Sequence, residues 1–81
     1  MAKVVMTGWE KNMQKVSLTK LQTVLLGLSL KESKENVDRL LGGEEVIINV
    51  DTLDQGRRFT EEAQRIGAQC QTEISSTATS A

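Results

Sequence analysis

Lys31 and Lys34 stand one helical turn apart in the stretch GLSLKESKENVD, residues 27–38, where two like charges could dock an acidic surface. The same stretch offers an ordinary reading. Glu35 follows Lys31 by four residues, Asp38 follows Lys34 by four and Arg39 follows Glu35 by four. Such pairs stabilise a solvated helix face by only about 0.2 to 0.5 kcal/mol each. Both readings stay open for these lysines, with Lys15 and Lys20 able to converge on the same side. Trp9, beside Glu10, is the only large aromatic besides Phe59. It sits in a polar stretch where it either anchors a ligand or folds back over the core.

Catalytic chemistry finds little to work with. General acid-base catalysis most often uses histidine, and the chain has none. Glu44 and Glu45, like Glu61 and Glu62, are adjacent in sequence, so their side chains diverge instead of flanking a bond. Cys70 has no histidine to activate it and reads as a small buried hydrophobe. The glycines fall at the ends of elements and lack the spacing of a phosphate cradle. No ligand cluster suggests a metal or another cofactor. A non-enzymatic protein is expected.

Composition narrows the partners. Ten Lys and Arg against 11 Asp and Glu give a net charge of −1, too little positive excess to draw the chain onto nucleic acid or an anionic membrane. A single cysteine permits no internal disulfide and fits a reducing compartment. The start MAKVVMTGWEK has no long apolar signal region, and no run approaches the ~20 apolar residues of a membrane span. A cytoplasmic location is expected. Eighty-one residues suit one small domain with a modest core.

The elements that must carry these residues follow from the apolar pattern. KVVMT reads as a first strand ended by Gly8, leading into the polar loop GWEKNMQK. Val16, Leu18, Leu21, Leu25 and Leu28 build the apolar face of a first helix, with Ser17 near its start and Gly27 at its end. SLKE then opens a second helix, since Ser29 and Glu32 have the spacing of a capping box. Leu30, Val37, Leu40 and Leu41 supply its buried stripe, and Gly42 with Gly43 stops it.

EVIINV is β-branched and short, a second strand with Val46, Ile48 and Val50 on one face. DTLDQGRRFTEEAQRIG gives a third helix. Thr52 and Gln55 can form a second capping box there, and Leu53, Phe59, Ala63 and Ile66 share a face. Gly56 weakens its first turn by about 1 kcal/mol relative to alanine. In AQCQTEI the residues Ala68, Cys70, Thr72 and Ile74 alternate with Gln69, Gln71 and Glu73, as in a strand with one wet face. The order strand, helix, helix, strand, helix, strand predicts an α+β two-layer sandwich. Helices should cover one face of a three-stranded, mainly antiparallel sheet over residues 1–74. SSTATSA, residues 75–81, reads as a disordered tail.

This order and the middle of the chain resemble the C-terminal domain of the bacterial ribosomal stalk protein, whose fold is shared with the ClpS protease adaptors. Residues 15–38, KVSLTKLQTVLLGLSLKESKENVD, can be set without gaps against that family's KV…IK…GLGLKEAK…V segment. FTEEAQRIGAQCQTE is similar to its last helix, glycine and closing strand, so the likeness spans residues 3–74. The resemblance implies that the helical hairpin, residues 15–41, recruits a translational GTPase, with basic positions facing an acidic helix of the factor. Lys15, Val16, Lys20, Gly27, Leu28, Leu30, Lys31, Lys34 and Val37 match the family pattern. Thr23 stands where the family usually has an arginine, and Val24 and Ser29 where it has glycines. The family's N-terminal dimerising domain and its hinge have no counterpart in this sequence.

The expectation is therefore a protein-protein interaction module whose hairpin docks a translation factor or another complex, with Lys15, Val16, Lys20, Lys31 and Lys34 as the contact residues. Two alternatives stand beside it. In ClpS adaptors, acidic side chains and a histidine around the first loop grip the N-terminal residue of a substrate. A peptide pocket here would lie around Trp9 and Glu10, in TGWEKNMQK. The third reading is a structural subunit of a homo-oligomer or a larger assembly, since small domains with modest cores gain stability by association.

Overall fold

A computed structural model describes residues 2–74. The expected tail, residues 75–81, lies outside the described residues. The chain runs β1 (Ala2–Trp9), α1 (Lys15–Leu26), α2 (Leu30–Leu41), β2 (Val46–Val50), α3 (Leu53–Arg65) and β3 (Ala68–Ile74). The three strands form an antiparallel sheet in the order β2-β1-β3, and the helices pack on one face of it. This is the α+β two-layer sandwich that the apolar pattern predicts, in the expected order.

β1 lies at the centre, paired on both sides. Val4, Val5 and Met6 are all buried. Val4 and Met6 join the helix-covered core, whereas Val5, on the opposite face, lies between Ile47 and Gln71 of the flanking strands. The strand does not stop at Gly8. A bulge between Met6 and Gly8 lets it continue, so that Gly8 stands opposite Gln69 and Trp9 opposite Ala68. Trp9 thus closes the strand and does not begin the loop.

Between the layers, Phe59, Met6, Leu18, Leu40, Val4 and Val46 are sealed from solvent. A side chain of this size contributes about 1.5 to 3 kcal/mol by leaving water. Val46, Ile48 and Val50 share the inner face of β2 as expected. Gly56 has a stronger reason to be glycine than its helix propensity suggests. A Cβ there would stand 2.7 Å from Thr72 Cγ2 and 3.3 Å from Val50 Cγ2, so its absence lets α3 settle directly on the sheet. Beside it, the Thr60 and Thr72 hydroxyls bond at 2.8 Å. Ile66 is the C-cap of α3 and packs half-buried against the core as expected, whereas Ile74 is left exposed at the end of β3.

Candidate functional site

The hairpin of α1 and α2 is fixed by polar groups at both of its joints. Gly27 ends α1 in the left-handed region at φ 70, and its amide returns to the Gln22 carbonyl. Ser29 then caps α2. Its hydroxyl accepts from the Glu32 amide at 3.1 Å and donates to Glu32 Oε1 at 3.4 Å. The carboxylate therefore meets the capping hydroxyl instead of reaching back to a free amide. α1 has no comparable start: Gln14 is its N-cap without a side-chain bond, and Ser17 donates to Gln14 Oε1 at 3.2 Å.

A buried polar pin joins the two helices, at a residue that the apolar pattern passes over. Gln22 is fully buried; its Nε2 donates to the carbonyls of Leu18 at 3.3 Å and Ser33 at 3.1 Å. Its Oε1 accepts from Asn36 Nδ2 at 2.9 Å. A buried amide is tolerated only when its hydrogen bonds are met, and this one spends donors and acceptor on α1 and α2 alike. Ser33 is buried beside it, with its hydroxyl unpartnered. The signal that could have found the pin is the spacing of Gln22 against Leu18 and Leu25, which places a polar residue on the inward side of α1.

Two apolar expectations fail on this hairpin. Val16, placed by spacing on the buried face of α1, is 69% exposed, and Leu30, assigned to the buried stripe of α2, is 57% exposed. Both occupy the first turn of their helix, where their side chains stay in solvent. Val24 is more exposed still, at 77%. The inward positions go instead to Leu18, Thr19 and Gln22 on α1 and to Ser33, Val37 and Leu40 on α2.

Lys15, Val16 and Lys34 come together. With Thr19, Val37 and Asp38 they line a groove of about 200 Å³ between α1 and α2. Lys20 belongs to a different trough of about 250 Å³, between α1 and α3, with Leu21, Val24, Leu25, Arg58 and Glu62. Lys31 is exposed and lines neither. The intrahelical pairs open to α2 do not form: among the described residues the ion pairs within 4 Å are Lys3 with Glu73 at 3.8 Å and Arg65 with Glu62 at 3.2 Å. Lys31 and Lys34 thus keep their charge free for solvent or a partner.

Trp9 does not fold away over the core; it is 40% exposed at the end of β1. Glu10 follows in a braced turn, its amide donating to Gly67 O at 2.7 Å and its carbonyl accepting from the Met13 amide at 3.0 Å. Glu10 also lines a polar groove along β3 with Thr7, Gln64 and Gln69, to which Trp9 does not contribute. Cys70 is buried on the inner face of β3, where burial pushes its thiol from 9.0 up to about 11, only partly offset by a hydrogen bond toward Thr60. Such a thiol stays protonated at neutral pH.

No helix among the described residues is long and apolar enough to cross a membrane. Compared with known proteins, the chain matches no family model and no curated protein.

Proposed function

We propose that the protein is a non-enzymatic interaction module that docks a protein partner through the α1–α2 hairpin. The observation that carries this reading is the groove in which Lys15 and Lys34 flank the exposed Val16. An apolar contact bordered by two cations without an ion pair, with Asp38 as the one carboxylate of the groove, suits a partner helix that presents one apolar side chain and a carboxylate to each lysine. The resemblance to the ribosomal stalk domain makes a translational GTPase the first partner to try. Binding through such rim charges is salt-sensitive, because exposed pairs are screened over about 8 Å at physiological ionic strength.

The separation of Lys31 from the groove sharpens the test. A purified translational GTPase is captured on the immobilised wild-type chain, on Val16→Asp/Lys34→Glu and on Lys31→Glu. Capture should be lost with the double substitution and largely kept with Lys31→Glu. Equal capture by the wild type and the double variant removes the groove as the docking surface.

The exposure of Trp9 favours a second reading, a ClpS-like adaptor that holds a peptide beside Trp9 and Glu10. Peptides differing in their N-terminal residue should then change the Trp9 fluorescence. An unchanged spectrum across the set rules this reading out.

A further inference from the structure

The two edges of the sheet are built differently. On β3, Gln64 reaches from α3 and donates its Nε2 to the Cys70 carbonyl at 2.9 Å, so a free acceptor of that edge is already taken. On β2, among the described residues, no side chain bonds any backbone group of Val46–Val50. Its neighbouring wall, α2, leaves a trough of about 320 Å³. The trough has Glu32, Glu35, Asn36 and Arg39 on the helix side, and Ile47 and Asn49 on the strand side.

The sheet register tells which groups of β2 are free. The Cys70 carbonyl points to Gln64 and hence away from β1, so Cys70 and Met6 are a pair without mutual hydrogen bonds. Residues alternate along a strand, so Met6 turns its backbone groups to Val46 and Val4 turns its own to Ile48. Ile47 and Asn49 therefore direct their N–H and C=O groups outward, into the trough. Asp51, next in that alternation, satisfies its amide with Gln55 Oε1 at 3.1 Å, which marks where the free edge ends.

Charge decides what fits there. Glu32 and Glu35 stand on the wall, Glu44 and Glu45 lead into β2 and Asp51 follows it, against Arg39 as the one cation of the trough. Lys3, across β1 from Asn49, leans to Glu73 on the opposite side. A second copy pairing antiparallel with its Ile47 opposite Asn49 would bring its Asp51 to Glu45, so self-association in that register is disfavoured. A cationic strand meets no such penalty. We propose that the α2–β2 trough binds an extended basic peptide segment, which adds to β2 as a fourth strand. Its backbone bonds to Ile47 and Asn49, and alternate Lys or Arg side chains face Glu32 and Glu35. Between the cations, an apolar residue would lie beside Ile47, which is 53% exposed. This surface lies apart from the α1–α2 groove, and neither reading depends on the other.

The test is an NMR titration of the ¹⁵N-labelled chain with the capped peptide Lys-Val-Lys-Val-Lys and with its Glu-Val-Glu-Val-Glu counterpart. The basic peptide should shift the Ile47 and Asn49 amides and slow their hydrogen exchange, and the acidic one should leave them unchanged. Glu35→Lys/Glu45→Lys, both at exposed positions, should weaken binding about tenfold. Asn49→Pro, which removes an edge-facing donor and spares the pairing with β1, should abolish it. Four results would overturn the proposal: no shifts with the basic peptide; shifts at the Glu32 and Glu35 amides without protection at Ile47 and Asn49; equal binding of the acidic peptide; or β2 shifts that follow protein concentration alone, which would mean pairing between copies.

Discussion

The α3–β3 half of the molecule and the α1–α2 hairpin solve the same packing problem with a different balance of apolar and polar groups. On α3, the side chains turned to the sheet are Phe59, Ala63 and the absent Cβ of Gly56, and close approach to Thr72 and Val50 does the fastening. On the hairpin, a buried glutamine, serine and threonine sit inside while Val16, Val24 and Leu30 face out. Apolar surface left on one helix pair, beside a polar pin that ties the two helices together, is what a docking face needs. The α3–β3 half shows no comparable surplus beyond Ile74 at the end of its strand.

The sharpest blow to the first half is Phe59→Ala. Phe59 is fully buried between α3 and the sheet, and such truncations cost about 3 to 5 kcal/mol, a large share of the total stability of so small a domain. Urea unfolding followed by circular dichroism should show a correspondingly lower midpoint. A loss confined to a few tenths would break the picture of α3 as the packed half.

Cys70 tests the same half through pH. Its folded thiol, raised from 9.0 to about 11, favours the protonated form. The stabilisation is therefore complete below pH 9 and disappears as pH rises through about 11, amounting to about 2 to 3 kcal/mol. Unfolding measured across that window should fall more steeply for the wild type than for Cys70→Ala. Parallel curves would place the thiol in contact with solvent.

For the hairpin, Gln22→Ala strands Asn36 Nδ2 and removes the donor from the Ser33 and Leu18 carbonyls. The expected loss is about 1 to 3 kcal/mol, with faster hydrogen exchange in α1 and α2 than in β1. The smallest effects belong to the exposed residues. Val16→Ser and Leu30→Ser should each change stability by about 0.5 kcal/mol or less, as expected for side chains that touch little. A larger loss at either position would erase the contrast between the halves.

How legible this was depends on how well each segment obeys a simple period. β2 and α3 do: Val46, Ile48 and Val50 alternate, and Phe59 with Ala63 recurs one turn apart, so both elements and their inward faces follow from the sequence. The stops at Gly27 and the cap at Ser29 were equally readable, because only a few residue types suit those backbone positions. α1 misled because valine at position 16 fits the helical spacing but lies in the exposed first turn, whereas Gln22 fits the spacing and looks too polar to be buried. The bulge that carries β1 to Trp9 was missed because Gly8 reads equally as the end of a strand, and only the pairing with β3 distinguishes the two. For the candidate site, spacing brought Lys31 and Lys34 together as one feature. Packing against α1 separated them, placing Lys34 with Lys15 and Val16 and leaving Lys31 outside the groove.

The reading of the hairpin as a docking face is tested most directly by titrating the ¹⁵N-labelled chain with a purified translational GTPase and following its amide signals. The account predicts line broadening and shifts centred on Lys15, Val16, Lys34 and Asp38, diminished by salt and absent in Val16→Asp/Lys34→Glu. Unchanged hairpin signals, or the same changes in that variant, would contradict it.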